Sequence, residues 1–382
     1  MRSSVKKWIR EHNDEALQLL RQMVNTDSGT HDPDGVNKVA RMCEQQLSAL
    51  GFSIRRHSAA PYGDHLEATL ESDGAKRLLL VGHMDTVFER GTARARPFSV
   101  DGDRIAGPGV HDMKSGLVSA VYALKALMQA GFRDFGRITL LLNSDEEVGS
   151  PTSRLLIEAL ARSSDIGFVL ECAYPDGSIV TARKGVGMYK LVTRGVSAHA
   201  GAEPEKGVNA IVLMAEKILD AAKISDAGSG TTVNVGVIRG GTRRNVVPDF
   251  AEAEIDVRVA TTEEAQRVHR CLGALSSGRL ERSSVELTGG LNRPPMERTP
   301  EIERLYRLVR EEAHDIGLNI SERSTGGASD GNFVAHTGIP VLDGMGPQGG
   351  FAHSLDEYMQ LSTFPLWVML LAQSILAVCE SR

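Results

Sequence analysis

The sequence predicts an α/β fold: a mixed, mainly parallel sheet flanked by helices, interrupted by a smaller α+β insert. Three observations carry this. Short, continuously apolar runs at 77–82, 137–143 and 167–170 read as strands buried on both faces, with helical patterns between them. After Ala173 the pattern changes to strands accompanied by two helices, and from 292 the first pattern returns. At 382 residues the chain is also too long for one ordinary domain.

In chain order, residues 4–50 read as helical. Leu17, Leu20 and Val24, then Val39, Met42, Leu47 and Leu50, recur at three- and four-residue steps, and Gly51 stops the second helix. Short strands follow at 53–56 and 66–70, then the buried strand 77–82, a helix over 116–130, a strand at 137–143, a helix over 153–161 and a strand at 167–170. Tyr-Pro-Asp-Gly at 174–177 is a turn signal. Beyond it come strands at 179–181, 187–194, 231–239 and 251–260, with helices over 207–223 and 262–274. The expected division is 1–178 with 290–382 as one domain and 179–289 as an insert. Helices over 300–316 and 363–378 complete the first domain. No internal repeat or low-complexity tract interrupts the pattern.

Composition narrows the function. A hydrophobic fraction of 41% and a charged fraction of 24% exclude a disordered or collagen-like chain. Forty-three Lys and Arg against 49 Asp and Glu give a net charge of −6, which argues against a nucleic-acid partner and suits a holder of divalent cations. Cys43, Cys172, Cys271 and Cys379 lie far apart without a Cys-x-x-Cys pair, as expected of reduced thiols. The first residues lack the apolar stretch of a signal peptide. The longest apolar run, 364–372, falls short of the roughly 20 residues a membrane span needs. The expectation is a soluble, cytoplasmic protein with no membrane partner.

Chemistry-bearing residues cluster after the apolar strands, at the strand ends where open α/β sheets bind ligands. Gly-His-Met-Asp-Thr-Val at 82–87 follows the first strand. His83 and Asp85 are two apart, so in extended chain they share a face, and a metal-ligating imidazole commonly gives its other ring proton to a carboxylate. Gly-Pro-Gly-Val-His-Asp-Met-Lys-Ser-Gly at 107–116 precedes a helix; it has no phosphate-loop pattern, and Asp112 reads as a ligand or as a plain N-cap. Asp145, Glu146 and Glu147 follow the second strand, where a bound dication would relieve the cost of crowding three carboxylates; a solvated acidic turn is the alternative. Glu171 follows the third strand, and His353 lies behind a glycine-rich loop. Two histidines, one aspartate and two glutamates total about −3, which two Zn²⁺ ions and one hydroxide balance.

At this point the sequence resembles the di-zinc aminoacylase/carboxypeptidase family of metallopeptidases, in particular bacterial glutamate carboxypeptidases of the carboxypeptidase G type. The three motifs at 82–87, 107–116 and 145–150 carry the resemblance, with Asp165 standing six residues before Glu171. Ser-Ala-His-Ala-Gly at 197–201, Asn-Val-Val-Pro at 245–248, Asp-Val-Arg at 256–258, Thr-Gly-Gly-Ala-Ser-Asp at 325–330 and His-Ser-Leu-Asp-Glu at 353–357 follow in order. The match spans about residues 10–380. It implies a zinc-exopeptidase-like catalytic domain and a ferredoxin-like insert acting as a dimerisation or lid domain in a homodimer.

The resemblance also implies roles. His83, Asp112 and Glu171 would hold one zinc, and Asp112, Glu147 and His353 the other, with Asp112 bridging and Co²⁺ or Mn²⁺ as possible substitutes. Glu146 would be the general base, Asp85 would orient His83, and His199 would steady the oxyanion in the partner subunit's site. Asn245, Arg258, Arg293 and Gly327 would contact substrate, and the Asp112–Met113 peptide would be cis. Three departures are visible. Cys172 replaces a usual proline, His111 replaces a usual small residue, and the lysine that glutamate carboxypeptidases carry has no obvious match near 176–179. The expected activity is release of a C-terminal amino acid such as glutamate from a small peptide or N-acyl conjugate, with an N-acyl-amino-acid deacylase or dipeptidase as the alternative.

Overall fold

The computed structural model describes residues 1–276 and 281–381. Among them six strands form the principal sheet, in the order Ser53–His57, His65–Glu71, Arg137–Asn143, Arg77–His83, Ile166–Val169 and Val341–Leu342. The first two strands pair antiparallel, as do the second and third. The remaining pairs are parallel, which gives the mixed, mainly parallel sheet expected. Leu78 to Val81 and Ile138 to Leu142, Thr139 among them, are inaccessible or nearly so, as strands covered on both faces must be. Helices Ser115–Gln129 and Phe364–Glu380 pack against each other, and Arg2–Glu11 packs on both.

Three short helices, not two, precede the sheet: Arg2–Glu11, Asn13–Val24 and Pro33–Ser48. The run breaks where Asp32 accepts a hydrogen bond from the Gly35 amide and Pro33 takes the first helical position, an N-cap that restarts the helix. Helix Leu361–Glu380 corrects the sequence expectation, because by length and composition it could cross a membrane. Its apolar character continues beyond Ala372 to Val378, and 72% of its most apolar window is buried inside the protein, as in a core helix.

The described residues divide into two compact units, Met1–Ala182 with Arg298–Ser324 and Ser329–Arg382, and Arg183–Glu297 with Thr325–Ala328. The second unit is built on an antiparallel sheet in the order Thr232–Gly240, Phe250–Val259, Gly185–Arg194 and Ser284–Arg293. Helices Ala210–Ala222 and Thr262–Leu275 alternate with these strands as β-α-β-β-α-β, a ferredoxin-like arrangement. Met214, Val268 and Leu272 from the helices share one core with Leu191, Ile255 and Val257 from the sheet. Two sequence assignments are corrected here. The strand expected at 179–181 is Ser178–Arg183, and it pairs with Ser321–Thr325 instead of joining this sheet. The fourth strand of the sheet is Ser284–Arg293, which is not among the strands expected from the sequence; Val285, Leu287 and Leu291 pack against its core, and Gly289 and Gly290 interrupt the alternation.

Candidate metal centre

Register brings the site together. His83 lies opposite Asn143, and Val81 opposite Val169, so three parallel strands end level with one another. The chain leaving each end delivers His83 and Asp85, then Glu146 and Glu147, then Glu171. Asp112 comes from a buried, irregular turn over Val110–Lys114, and its peptide bond to Met113 is cis. His353 comes from the loop after Gly346–Gly350.

The ligand atoms converge. His83 Nε2 lies 3.1 Å from Asp112 Oδ1 and 3.6 Å from Glu171 Oε1. His353 Nε2 lies 3.0 Å from Asp112 Oδ2 and 3.2 Å from Glu147 Oε2. Asp112 thus faces one imidazole with each carboxylate oxygen. Glu146 joins the set, because one ligand atom each of His83, Glu146 and Glu171 fall within 4.8 Å of one another, as do those of His83, Asp112 and Glu147.

Asp85 is inaccessible to solvent. Its backbone carbonyl stands 3.0 Å from His83 Nδ1, with the carboxylate at 3.5 Å. The carboxylate does more than face His83. It accepts from the Thr30 hydroxyl at 2.7 Å and from the Glu146 and Glu147 amides at 3.3 Å each. One buried aspartate therefore fixes the end of the first strand to the acidic turn after the second.

Although burial opposes it, the hydrogen bonds from His353 and His83 hold the Asp112 carboxylate below the ordinary aspartate range, while four of its neighbours are raised. Burial, then Asp112, holds Glu171 well above the ordinary glutamate value. Burial also raises Glu147, although the hydrogen bond to His353 opposes it. Hydrogen bonds to Asp112 and Glu147 push His353 up to about 11. Burial would lower His83, but Glu171, Asp112 and Asp85 overcome it and raise it well above its usual value. Each of the four raised values marks a place that demands positive charge. Imidazole nitrogens and carboxylate oxygens at this spacing are the donors zinc takes, so the residues present fit divalent cations.

Several supporting residues escape sequence reading. Glu357, fully buried, accepts from the amides of Gly109, His111 and Asp112 at 2.9–3.0 Å, holding the turn that carries Asp112. Lys114, 1% exposed, donates to the carbonyls of Thr26 and Pro108. Asp145 turns away from the cluster and accepts from the amides and hydroxyls of Thr152 and Ser153. Only a helical or strand period signals burial in a sequence, and all three residues lie outside one. His111, at the unusual position before Asp112, is buried and its pKa is pushed down to about 4. It fits because Gly349 faces it: a Cβ there would stand 2.6 Å from His111 Nδ1.

The remaining site candidates lie on the second unit. His199 pairs with Val246 in a short ladder, and the Ala200 amide donates to the Asn245 carbonyl at 3.1 Å. His199 Nδ1 accepts from the amides of Gly201 and Ala202, which leaves the ring proton on Nε2. Arg258 is held by Asp256 through Nε and Nη2 at 2.9 and 3.0 Å, while Nη1 donates to the Gly326 carbonyl at 3.3 Å. Arg293 is 4% exposed at the end of its strand. The Gly327 carbonyl accepts from Arg183 Nη1.

The family model described as Peptidase family M20/M25/M40 matches residues 79–377. The chain belongs to this family. Carboxypeptidase G2 of Pseudomonas sp. (strain RS-16) is 31% identical over 369 residues, covering 94% of this chain and 88% of that protein. Succinyl-diaminopimelate desuccinylase of Hydrogenovibrio crunogenus is 27% identical, covering 91% and 94%. Among solved structures, aminopeptidase PepT of Bacillus cereus superposes with a TM-score of 0.79 at 22% identity, covering 96% and 99%. A Bacillus subtilis protein described as a dinuclear metal-binding peptidase of family M20 superposes at 0.70 with 15% identity, covering 98% and 99%. This M20 chain is therefore a peptidase or amidohydrolase of the family, with a metal-ligand cluster in its larger unit.

Proposed function

We propose that this M20 protein is a two-zinc metallo-carboxypeptidase that releases a C-terminal amino acid, such as glutamate, from a small peptide or N-acyl conjugate. The observation that carries the reading is the shared carboxylate: Asp112 offers one oxygen to His83 and the other to His353, as a bridging ligand would. The similarity to carboxypeptidase G2 supports the choice of bond. His83, Asp112 and Glu171 would hold one cation, and Asp112, Glu147 and His353 the other. When bound, the cations supply Lewis acidity at the scissile carbonyl and lower the pKa of water.

The chain's own groups do the rest. Glu146 takes the proton of the attacking water and delivers it to the leaving amine nitrogen. The Asp85 hydrogen bond to its amide fixes where that carboxylate starts. His199, with its proton on Nε2, donates to the oxyanion from the insert of a partner subunit in a homodimer. Arg293 and Arg258 take the substrate's free carboxylate, with Asn245 and Gly327 alongside. Arg258 must exchange its pair with Asp256 to do so.

Similarity to desuccinylases supports a second reading, removal of an acyl group from an amino acid. The two differ in which half of the substrate is held, so the test varies the amino-acid half, its side chain and its α-carboxylate in turn. Purified zinc-loaded protein is assayed on N-acyl glutamates, on N-acyl neutral amino acids, and on the same compounds with the α-carboxylate amidated. Hydrolysis of the acids and at least tenfold slower hydrolysis of the amides is expected; equal rates on both would reject a carboxypeptidase.

A further inference from the structure

The turn over 145–149 carries both Glu146 and Glu147 into a crowd of like charge, where Glu146 adds to the repulsion on Glu171. One residue that the chemistry above does not use closes both ends of this turn. Asp330, 2% exposed and within the same larger unit, accepts from the Asn143 side-chain amide at 2.6 Å through Oδ2. Through Oδ1 it accepts from the Ser150 hydroxyl at 2.5 Å. Asn143 ends the strand before the turn and Ser150 is the first residue after it, so a single carboxylate bridges the two flanks.

Both flanks depend on what Asp330 holds. Ser150 has φ 56°, in the left-handed region that a serine seldom adopts, and its amide donates to the Asp145 carbonyl at 2.8 Å. Asn143 also donates to Ser153 Oγ at 2.9 Å, and Ser153 donates to Asp145 Oδ1 at 2.6 Å. The Asn143 carbonyl accepts from the amide of Met84, the residue after His83, at 2.8 Å. Asn143, Asp145, Ser150 and Ser153 are all inaccessible, so solvent cannot replace a lost partner. Asp330 is fixed in its turn. The Ser329 hydroxyl donates to Asp343, just beyond strand Val341–Leu342, and accepts from the Gly331 amide at 3.0 Å. A hydrogen-bonded path therefore runs from the outermost strand of the sheet to both ends of the acidic turn.

We propose that Asp330 is a positioning residue for hydrolysis, setting where the Glu146 carboxylate stands by holding Asn143 and Ser150 together. The inference rests on the reading of Glu146 as general base and Glu147 as ligand. Glu147 is fixed by ligation in metal-loaded protein, whereas Glu146, whose work is proton transfer, depends on the turn. The effect of Asp330 should accordingly pass through Glu146.

The test uses zinc-saturated protein and one N-acyl amino acid that it hydrolyses. Asp330→Ala should lower kcat on the order of 10–100-fold with KM within about twofold of wild type. Asp330→Asn keeps the size, keeps an acceptor for Asn143 and turns an amide towards the Ser150 oxygen, so it should recover most of the loss. The deciding readout is a double-mutant cycle. In a Glu146→Gln background, Asp330→Ala should cost no more than about threefold further. The full loss in both backgrounds overturns the proposal while leaving the base assigned. Turnover of Glu146→Gln near wild type would instead reject the base, and the proposal with it. If Asp330→Ala does not fold, as judged by thermal melting, Ser150→Gly carries the same cycle, because glycine accepts φ 56° and only the hydroxyl is lost. A several-fold loss that vanishes beside Glu146→Gln is then expected, and an unchanged kcat overturns the proposal.

Discussion

The two halves of the candidate metal centre present the same ligand types on different foundations. His83 ends a central strand, is 2% exposed, and is backed by Asp85, which also ties down Thr30, Glu146 and Glu147. His353 sits on a loop with a side chain 55% exposed and a backbone φ of 63°, in the left-handed region that side chains seldom adopt. Phe351 nearby has φ 58°. One half is therefore preorganised by the sheet, while the other is held largely by its contacts with Asp112 and Glu147. Asp112 joins them, and its own loop is clamped by Glu357. A site arranged this way should lose and regain its second cation more easily than its first.

The largest effect should follow removal of the shared group. Asp112→Ala is expected to lower retention of both cations together and to reduce kcat/KM by more than the roughly 10²–10⁴ of a lost general base. Elemental analysis after desalting would show it, and retention of one cation at full affinity would mean that Asp112 does not bridge. Glu146→Gln comes next. Turnover should fall by about 10²–10⁴ with metal content unchanged, since Glu147 is the proposed ligand.

Asp85→Asn tests the sheet-built half. It should weaken the His83-side cation by about 10–100-fold, the usual cost of losing a ligand's supporting partner. In a titration of stripped protein, the His83-side step should shift more than the other, which Asp85 reaches only through the Glu147 amide. Equal weakening of both steps would show that the halves are not separately supported.

The smallest effect sharpens the loop-built half. In chelator-stripped protein His353 has its pKa raised to about 11, first by its hydrogen bond to Asp112 and then by that to Glu147. A raised folded-state value stabilises fully below the unfolded value near 6.5. That contribution is lost as pH climbs from there through about 11. The stripped protein should therefore melt at progressively lower temperature across that range, and His353→Ala should flatten the slope. A slope unchanged in the variant would place the titrating group elsewhere.

The same contrast explains how much of the site was legible in the sequence. His83, Asp85, Glu146, Glu147 and Glu171 directly follow apolar strands, and strand ends place ligands whatever the loops do. His353 has no such neighbour, and only its order among the other motifs points to it. Glu357 reads as one more acid in a polar loop, yet it is buried and caps three amides. Asp145 reads as part of an acidic triplet, but short Thr and Ser side chains seven and eight residues on capture it. Strand Ser284–Arg293 alternates only over 284–288, where Val285 and Leu287 face the core, before Gly289 and Gly290 interrupt the period, so its signal is short.

The central claim is that two cations share Asp112, and stoichiometric reactivation tests it most directly. Chelator-stripped protein is titrated with Zn²⁺ while bound metal and amide hydrolysis are followed together. The account predicts two equivalents bound per chain, the first on the His83 side, with full activity reached only as the second is filled. Full activity at one equivalent, with no further binding at the cluster, would contradict it.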